Sequence, residues 1–501
     1  MSTRTYKDAI DCLNTLQSNA ATLEASRASG GQLVKVAIPE TIEYLGRIGY
    51  KPEDLNKLNV IHITGTKGKG STCAFTDSII RHAKPEWKVG LFTSPHLIAV
   101  RERIRINGAP LPEDDFARFF FEVWDRLGEN QTRANPATFL RPMYFKFVTL
   151  VAFHAFLSLQ VDATILEVGV GGTYDCTNIV PHPVVTAISA LGIDHTAVLG
   201  KTIPEIAWQK GGIYKEGVPA LTVEQPQDGL KVLRERAAEK KASEFLVVGS
   251  TPDISDVKLG LAGQHQYQNA NLALHAAKLF LQQKANVAPD AGLTETYVKA
   301  LQEARWPGRC QMLQDPKHDG TTWFLDGAHT VESLDCCMQW FVSPDAVLRP
   351  LDTPIKPQRI LIFNCTSGRS GSSFLGSMLA KAATQLQLHQ SNEVSDGLFD
   401  HVIFCTNVTY ADGGFKSDLT THAIADSDLA QLKTQHELAS AWHTLVPPFP
   451  KERVHVLPSI EHAVTVVREI EKLGKVDVLV AGSLHLVGGT IEVAGLADVA
   501  L

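Results

Sequence analysis

The chain has 501 residues, 44% of them apolar and 20% charged, with a formal net charge of −7. That apolar content supplies full-sized cores and excludes a disordered chain, and the length predicts roughly two or three domains. A mildly acidic balance gives no general attraction to nucleic acid or to an anionic membrane, so any anion site must be local.

Residues 6–48 carry apolar side chains at helical spacing, first Ala9, Ile10, Leu13 and Leu16, then Ile42, Leu45 and Ile48. The start contains Lys7, Asp8, Asp11 and Glu24 and no apolar stretch, which fits a cytosolic form better than a secretory or mitochondrial leader. Val60–Ile63 is a short apolar run. It feeds Gly65-Thr66-Lys67-Gly68-Lys69-Gly70-Ser71, and Cys73–His82 then has a helical pattern. Strand, glycine loop and helix together aim backbone N–H groups and a helix N-terminus at one point, the geometry of a phosphate cradle. Lys69 reaches β- and γ-phosphates, and the Ser71 or Thr72 hydroxyl serves phosphate or magnesium.

Lys88–Phe92, Thr164–Leu166 and Val184–Ile188 read as further buried strands. Met143–Val161 is interrupted by Lys146, His154 and Gln160 and reads as a buried helix, not an integral membrane segment. The strand Ala163–Leu166 runs into Glu167, and the next strand is expected to end at Asp194-His195. Carboxylates at strand ends are where α/β sheets place ligand groups. His195 taken alone leaves a ligand and an ordinary histidine equally open.

A second series of strands begins near Thr322: Thr322–Leu325, Arg359–Phe363, His401–Cys405, Arg453–Val456 and Val476–Val480. The helical patterns Thr330–Phe341, Phe374–Leu386, Asp426–Leu445 and Ile460–Leu473 separate them. Ser343–Pro357 reads as a surface loop. The fold class is therefore α/β. Residues 1–306 are expected to form an ATP-binding domain on a P-loop-type, doubly wound, mainly parallel sheet, and residues 307–501 a Rossmann-like α/β domain. The break is expected at the Pro-Gly step in Arg305–Arg309. The eight cysteines (Cys12, Cys73, Cys176, Cys310, Cys336, Cys337, Cys365 and Cys405) form no C-x-x-C pair and no zinc spacing, which fits reduced thiols inside a cell.

Several segments, taken together, resemble the folylpolyglutamate synthases of the Mur ligase superfamily. They are Thr64–Phe75, Thr93–Leu97, Arg101–Gly108, Leu166–Gly172, Gly192–His195, Gly263–Gln266, Asn269-Ala270, Trp306–Arg309, Leu325–His329 and Ala481–Gly488. The form of the glycine loop resembles the eukaryotic branch. The resemblance implies ATP, Mg2+ and a monovalent cation (K+) as cofactors, and reduced folate and L-glutamate as small-molecule substrates. It also implies a monomer without nucleic-acid partners, cytoplasmic with a mitochondrial pool.

Residue by residue, the resemblance implies nucleotide contacts from Gly68, Lys69, Gly70, Ser71, Asn269, Arg309 and Asp326. It implies magnesium ligation by Ser94, Glu167 and His195, with Lys210 carbamylated beside a second magnesium, and catalytic roles for Lys69, Lys210 and His329. Lys210 stands between Gln209 and Gly211, where relatives carry Glu and Ala, a departure that bears on carbamylation. Arg101 and Arg103 are candidates for meeting folate carboxylates, with solvated loop arginines the alternative. The implied reaction is carboxylate activation by ATP followed by glutamate addition. A dihydrofolate synthase or a bifunctional enzyme shares the same loop and metal set. A switch or motor ATPase predicts a strand-end Asp in place of Glu167.

Overall fold

The structure, a computed structural model, describes residues 4–17, 36–136, 138–287, 292–351, 355–365, 370–414, 416–419 and 431–501. The chain divides into two compact units. One comprises Met1–His96, Val100–Gly260 and Gln266–Arg305, the other Leu97–Ala99, Leu261–His265 and Trp306–Leu501.

The first unit is built on strands β1 (Val60–Thr64), β2 (Val89–Phe92), β3 (Ile104–Ile106), β4 (Ala109–Pro110), β5 (Ala163–Glu167), β6 (Val185–Ile188), β7 (Ala220–Val223) and β8 (Phe245–Val248). Their order in the sheet is β4-β3-β2-β5-β1-β6-β7-β8. From β2 to β8 every pairing is parallel, and β3 and β4 close one edge antiparallel. All five residues of β1 are buried, because helices cover both faces of a parallel sheet. β1 lies between β5 and β6, where the winding reverses, and in such sheets ligands bind outside the carboxyl ends at this switch point. The helices that matter for the site are α1 (Lys69–Ala83), α2 (Tyr144–Leu159), α3 (Ile203–Lys210) and α4 (His265–Ala285).

The second unit holds β9 (Gln311–Gln314), β10 (Thr321–Leu325), β11 (Gln358–Phe363), β12 (His401–Cys405), β13 (Val454–Leu457) and β14 (Val476–Ala481), in the order β13-β12-β11-β14-β10-β9. Only β9 runs antiparallel. One hydrophobic core gathers Phe324, Phe341 and Trp442 on one side of this sheet, and a separate core gathers Trp323, Val478 and Ile491.

The main departures from the sequence reading lie at edges and ends. β6 stops at Ile188, so Asp194-His195 do not end a strand; they follow a loop that leaves the sheet. Helix α1 starts at Lys69, four residues before the apolar periodicity begins, because its first turn is glycine and hydroxyl residues. β3, β4 and β9 are too short, or too mixed in polarity, to show a strand period. In the Asp426–Leu445 segment the described helix is Lys433–Leu445, and residues 426–430 lie outside the described residues. Among the described residues no helix is long and apolar enough to cross a membrane.

The second unit is tied together by Asp315, which is 3% exposed. Its Oδ2 accepts from Trp323 Nε1 at 2.9 Å and from an Arg468 guanidinium N–H at 2.6 Å. Burial works to raise this carboxyl, but the Trp323 and Arg468 hydrogen bonds outweigh it and hold the group below its ordinary value. Asp315→Ala leaves the Trp323 indole N–H without its partner and strips Arg468 of its shorter carboxylate contact, leaving Glu471 at 3.5 Å, so unfolding in urea should show a loss of about 2 kcal/mol. The folded value is the lower one. The wild-type contribution is therefore complete above pH ~4 and fades as pH falls through the folded value, and the variant should lack that acid limb. A variant within 0.5 kcal/mol of wild type, in order of magnitude, would contradict this role.

Candidate active site

The loop that leaves β1 closes on itself through two glycines. Gly65 has φ 153° and Gly68 φ 83°, both on the glycine-favouring side. A Cβ on Gly65 would stand 1.9 Å from Ser189 Oγ, and one on Gly68 2.1 Å from Asn269 Oδ1. Asn269 on α4 is thus buried against the loop, and its Nδ2 donates to Gln266 Oε1 at 2.9 Å. Gln266 Nε2 in turn donates to Ser71 Oγ at 3.3 Å. The Thr66 and Lys67 amides donate to Ala190 O at 2.9 and 3.1 Å. This pairing explains the correction at β6: beyond Ile188 the backbone bonds to the phosphate-type loop instead of continuing the ladder.

Positive charge concentrates here. Lys210, at the end of α3, is 3% exposed and donates to Gly65 O at 2.7 Å. Lys69 Nζ donates to the same carbonyl at 3.1 Å. Lys67 Nζ pairs with Asp194 Oδ2 at 3.2 Å. Burial, helped by the charges of Lys69 and Lys67, holds the Lys210 ammonium well below its ordinary value. Burial likewise lowers the His195 imidazole, and the same three lysines add to it. Burial opposes ionisation of Asp194, yet Lys67 and His195 overrule it and bring the carboxyl to about 2. A small cavity joins Gly65, Thr66, Lys69, Asp194, His195 and Lys210.

Glu167, the last residue of β5, is 3% exposed, and its Oε2 accepts from the Ser94 amide at 2.9 Å. Two residues later Gly169 lines the small cavity. Among the described residues no three His, Cys, Asp or Glu side chains gather into a metal cage. One carboxylate, one imidazole and nearby hydroxyls nonetheless suit magnesium, which keeps several waters and takes one or two protein ligands beside phosphate. A buried polar atom supports that fit: Thr72 Oγ1, in the first turn of α1, has no hydrogen-bond partner. Gly68 and Gly70 belong to the same loop and first turn.

A larger cavity of about 480 Å3 adjoins the small one and shares Val170, Gly171 and Leu199 with it. Tyr144, Phe145, Tyr174 and Val198 give it an apolar wall, and Arg103, Lys146 and Asp175 give it charge. Arg103 is 9% exposed, lies over the Tyr144 ring at 5.4 Å from its centroid and donates to His96 Nδ1 at 2.9 Å. Arg101 does not line the cavity; it donates to Leu111 O at 3.2 Å. The sequence reading missed Tyr144, Phe145 and Tyr174. Inside an apolar helix the first two carry no signal that separates a wall from a core.

In the second unit Arg309, Asp326 and His329 meet near the carboxyl end of β10. Asp326 Oδ2 accepts from the Cys310 amide at 2.7 Å and Oδ1 from the Ala328 amide at 2.8 Å. A Cβ on Gly327 would stand 2.6 Å from Arg309 Nη1. His329 Nδ1 lies 3.0 Å from Gly327 O.

No protein-family model matches the chain. The folylpolyglutamate synthase of Saccharomyces cerevisiae strain FostersO is 41% identical over 509 residues, covering 99% of this chain and 88% of that protein. Among solved structures, Mycobacterium tuberculosis folylpolyglutamate synthase complexed with ADP superposes with a TM-score of 0.69 at 21% identity, covering 94% of this chain and 98% of that one. E. coli FolC in complex with DHPP and ADP gives a TM-score of 0.63 at 22% identity, covering 96% and 99%. The last two likenesses establish the fold.

Gly68→Ala imposes a strained φ and drives a methyl into Asn269. Chemical denaturation should show a loss of about 1–2 kcal/mol, and hydrogen exchange should speed up in the loop. Unchanged stability together with unchanged exchange would mean that the loop does not hold this conformation.

Proposed function

Because the chain belongs to the folylpolyglutamate synthase family, we propose that it joins L-glutamate to the γ-carboxylate of a reduced folate at the expense of ATP. The observation that carries this reading is the convergence of Lys69, Lys210 and Lys67 on a glycine loop. The loop sits beside the strand-end Glu167 and shares a wall with a cavity large enough for an aromatic substrate.

A carboxylate resists amines because its charge repels them and oxide leaves badly. In the proposed reaction a folate carboxylate oxygen attacks the γ-phosphorus of ATP, the bond to ADP breaks, and an acyl phosphate forms. The glutamate nitrogen then attacks the acyl carbon and loses a proton, and phosphate leaves. Gly68, Lys69, Gly70 and Ser71 hold the phosphates. Lys69 neutralises charge on the transferring group, in a step that is mostly positioning and electrostatics. Ser94, Glu167 and His195 would hold magnesium, which would supply charge neutralisation at the phosphates. Asn269, Arg309 and Asp326 are assigned to the nucleotide and His329 to catalysis. The larger cavity suits the aromatic body of the folate, with Arg103 on its wall to meet an anion, while Lys146 is already paired with Glu40. Potassium dependence, a monomeric state and a cytosolic location with a mitochondrial pool belong to the same reading.

Lys210 suits carbamylation. An amine held well below its ordinary pKa is nucleophilic toward CO2, losing one proton as the carbamate forms, and Lys69 and Lys67 would stabilise the new anion. Lys210→Ala should be inactive and partly restored by formate or acetate. No rescue at any carboxylate concentration would remove the carbamate.

Purified protein supplied with Mg-ATP, labelled glutamate and tetrahydrofolate should lengthen the folate, and Glu167→Ala should slow this at least about 100-fold while remaining folded. A dihydrofolate synthase would incorporate label only with dihydropteroate. A plain ATPase would consume ATP with no label in product. Either result would overturn the proposal.

A further inference from the structure

The larger cavity owes one wall to the segment Val170–Cys176, and β1 grips that segment from behind. Alternate residues of a strand share a face, so His62 and Thr64 point the same way from β1. Thr64 Oγ1 donates to Gly171 O at 2.6 Å. His62 Nε2 lies 2.9 Å from Thr177 Oγ1. The Thr177 hydroxyl donates to Asp175 Oδ1 at 2.6 Å, and its amide to the same oxygen at 3.0 Å. Asp175 Oδ2 accepts the Val170 amide at 3.1 Å. Asp175, Val170 and Gly171 all line the cavity.

The hydrogens can be counted along this chain. Thr177 Oγ1 has one hydrogen and spends it on a carboxylate that already draws donors to both oxygens. It therefore accepts from the imidazole, which places the His62 hydrogen on Nε2. Nδ1 then carries the lone pair, and it has no hydrogen-bond partner. His62 is fully buried, and burial takes its pKa to about 3, so the ring is neutral. A neutral histidine at the centre of a buried strand, where an apolar residue would pack without an orphaned nitrogen, is spent on one hydrogen bond.

We propose that His62 is a positioning residue for the substrate-facing wall: it orients Thr177, which fixes Asp175 and through it the Val170 amide beside the folate cavity. This rests on the cavity taking the folate. The strand that ends in the phosphate loop thereby sets the distance between that loop and the wall, through Thr64 at one point and His62 at another. His62 touches neither substrate.

The test is a pair of variants read by separate KM values. His62→Leu fills the strand position but removes the donor, whereas His62→Gln keeps an N–H near the place of Nε2. His62→Leu should raise the KM for tetrahydrofolate about fivefold or more, with the KM for ATP within about twofold. His62→Gln should restore most of the loss. Unchanged folate KM in His62→Leu, a parallel rise in both KM values, or a glutamine variant as impaired as the leucine one would each overturn the inference. If His62→Leu does not fold, Thr177→Val against Thr177→Ser gives the same readout, with the serine variant expected to resemble wild type. A wild-type protein that incorporates no glutamate would defeat the proposed reaction, not this inference. Tetrahydrofolate binding followed by protein fluorescence would then decide it, since His62→Leu must still weaken that binding.

Discussion

The carbonyl of Gly65 is the hinge point of the first unit. Two ammonium groups, Lys69 and Lys210, donate to this one oxygen, and Lys67 lies in the same loop. Three lysines so close form an imbalance of positive charge that disfavours the ammonium of Lys210, and Asp194 pairs with Lys67. Burial of Lys210 sharpens the imbalance, because it removes the water that would screen it. A site of this kind is relieved by bringing in anions, and the open glycine backbone of the loop is shaped to receive them. The phosphates of a nucleotide and the carboxylate of a second substrate are the anions that the family membership supplies.

The rest of the first unit can be read as the scaffold that holds this imbalance in place. β1 is buried over its whole length and flanked by β5 and β6, so the loop that leaves it starts from a rigid base. β5 delivers Glu167 at its end. The loop after β6 delivers Asp194 and His195, and α3 delivers Lys210. Each comes from a different neighbour of the same strand end, the usual way in which a doubly wound sheet builds a site from short, rigid elements. The small cavity and the larger one share the Val170–Gly171 backbone. Asp175, which holds the Val170 amide, lines only the larger one.

Much of this was legible in the sequence, for identifiable reasons. Buried parallel strands are unbroken apolar runs, so Val60–Ile63 and Thr164–Leu166 stood out, and glycines around Lys69 marked a loop that closes tightly. Glu167 was visible because a carboxylate directly after such a run is unusual. Asp194-His195 were harder to place. The residues after Ile188 look like a strand's continuation, but their hydrogen bonds go to Thr66 and Lys67. The aromatic wall was hidden because Tyr144 and Phe145 open a helix whose every turn is apolar. His62 passed as a strand residue, since nothing in the pattern distinguishes a histidine that packs from one that positions. Two-residue edge strands such as β4 leave no period to read.

The central claim is that this site activates a carboxylate. The most direct measurement of it is the fate of oxygen. Tetrahydrofolate carrying 18O in its γ-carboxylate, turned over with ATP and glutamate, should transfer one 18O to the released phosphate, because the acyl phosphate breaks at the bond between acyl carbon and oxygen. Phosphate that carries no 18O, released in step with glutamate incorporation, would contradict the account.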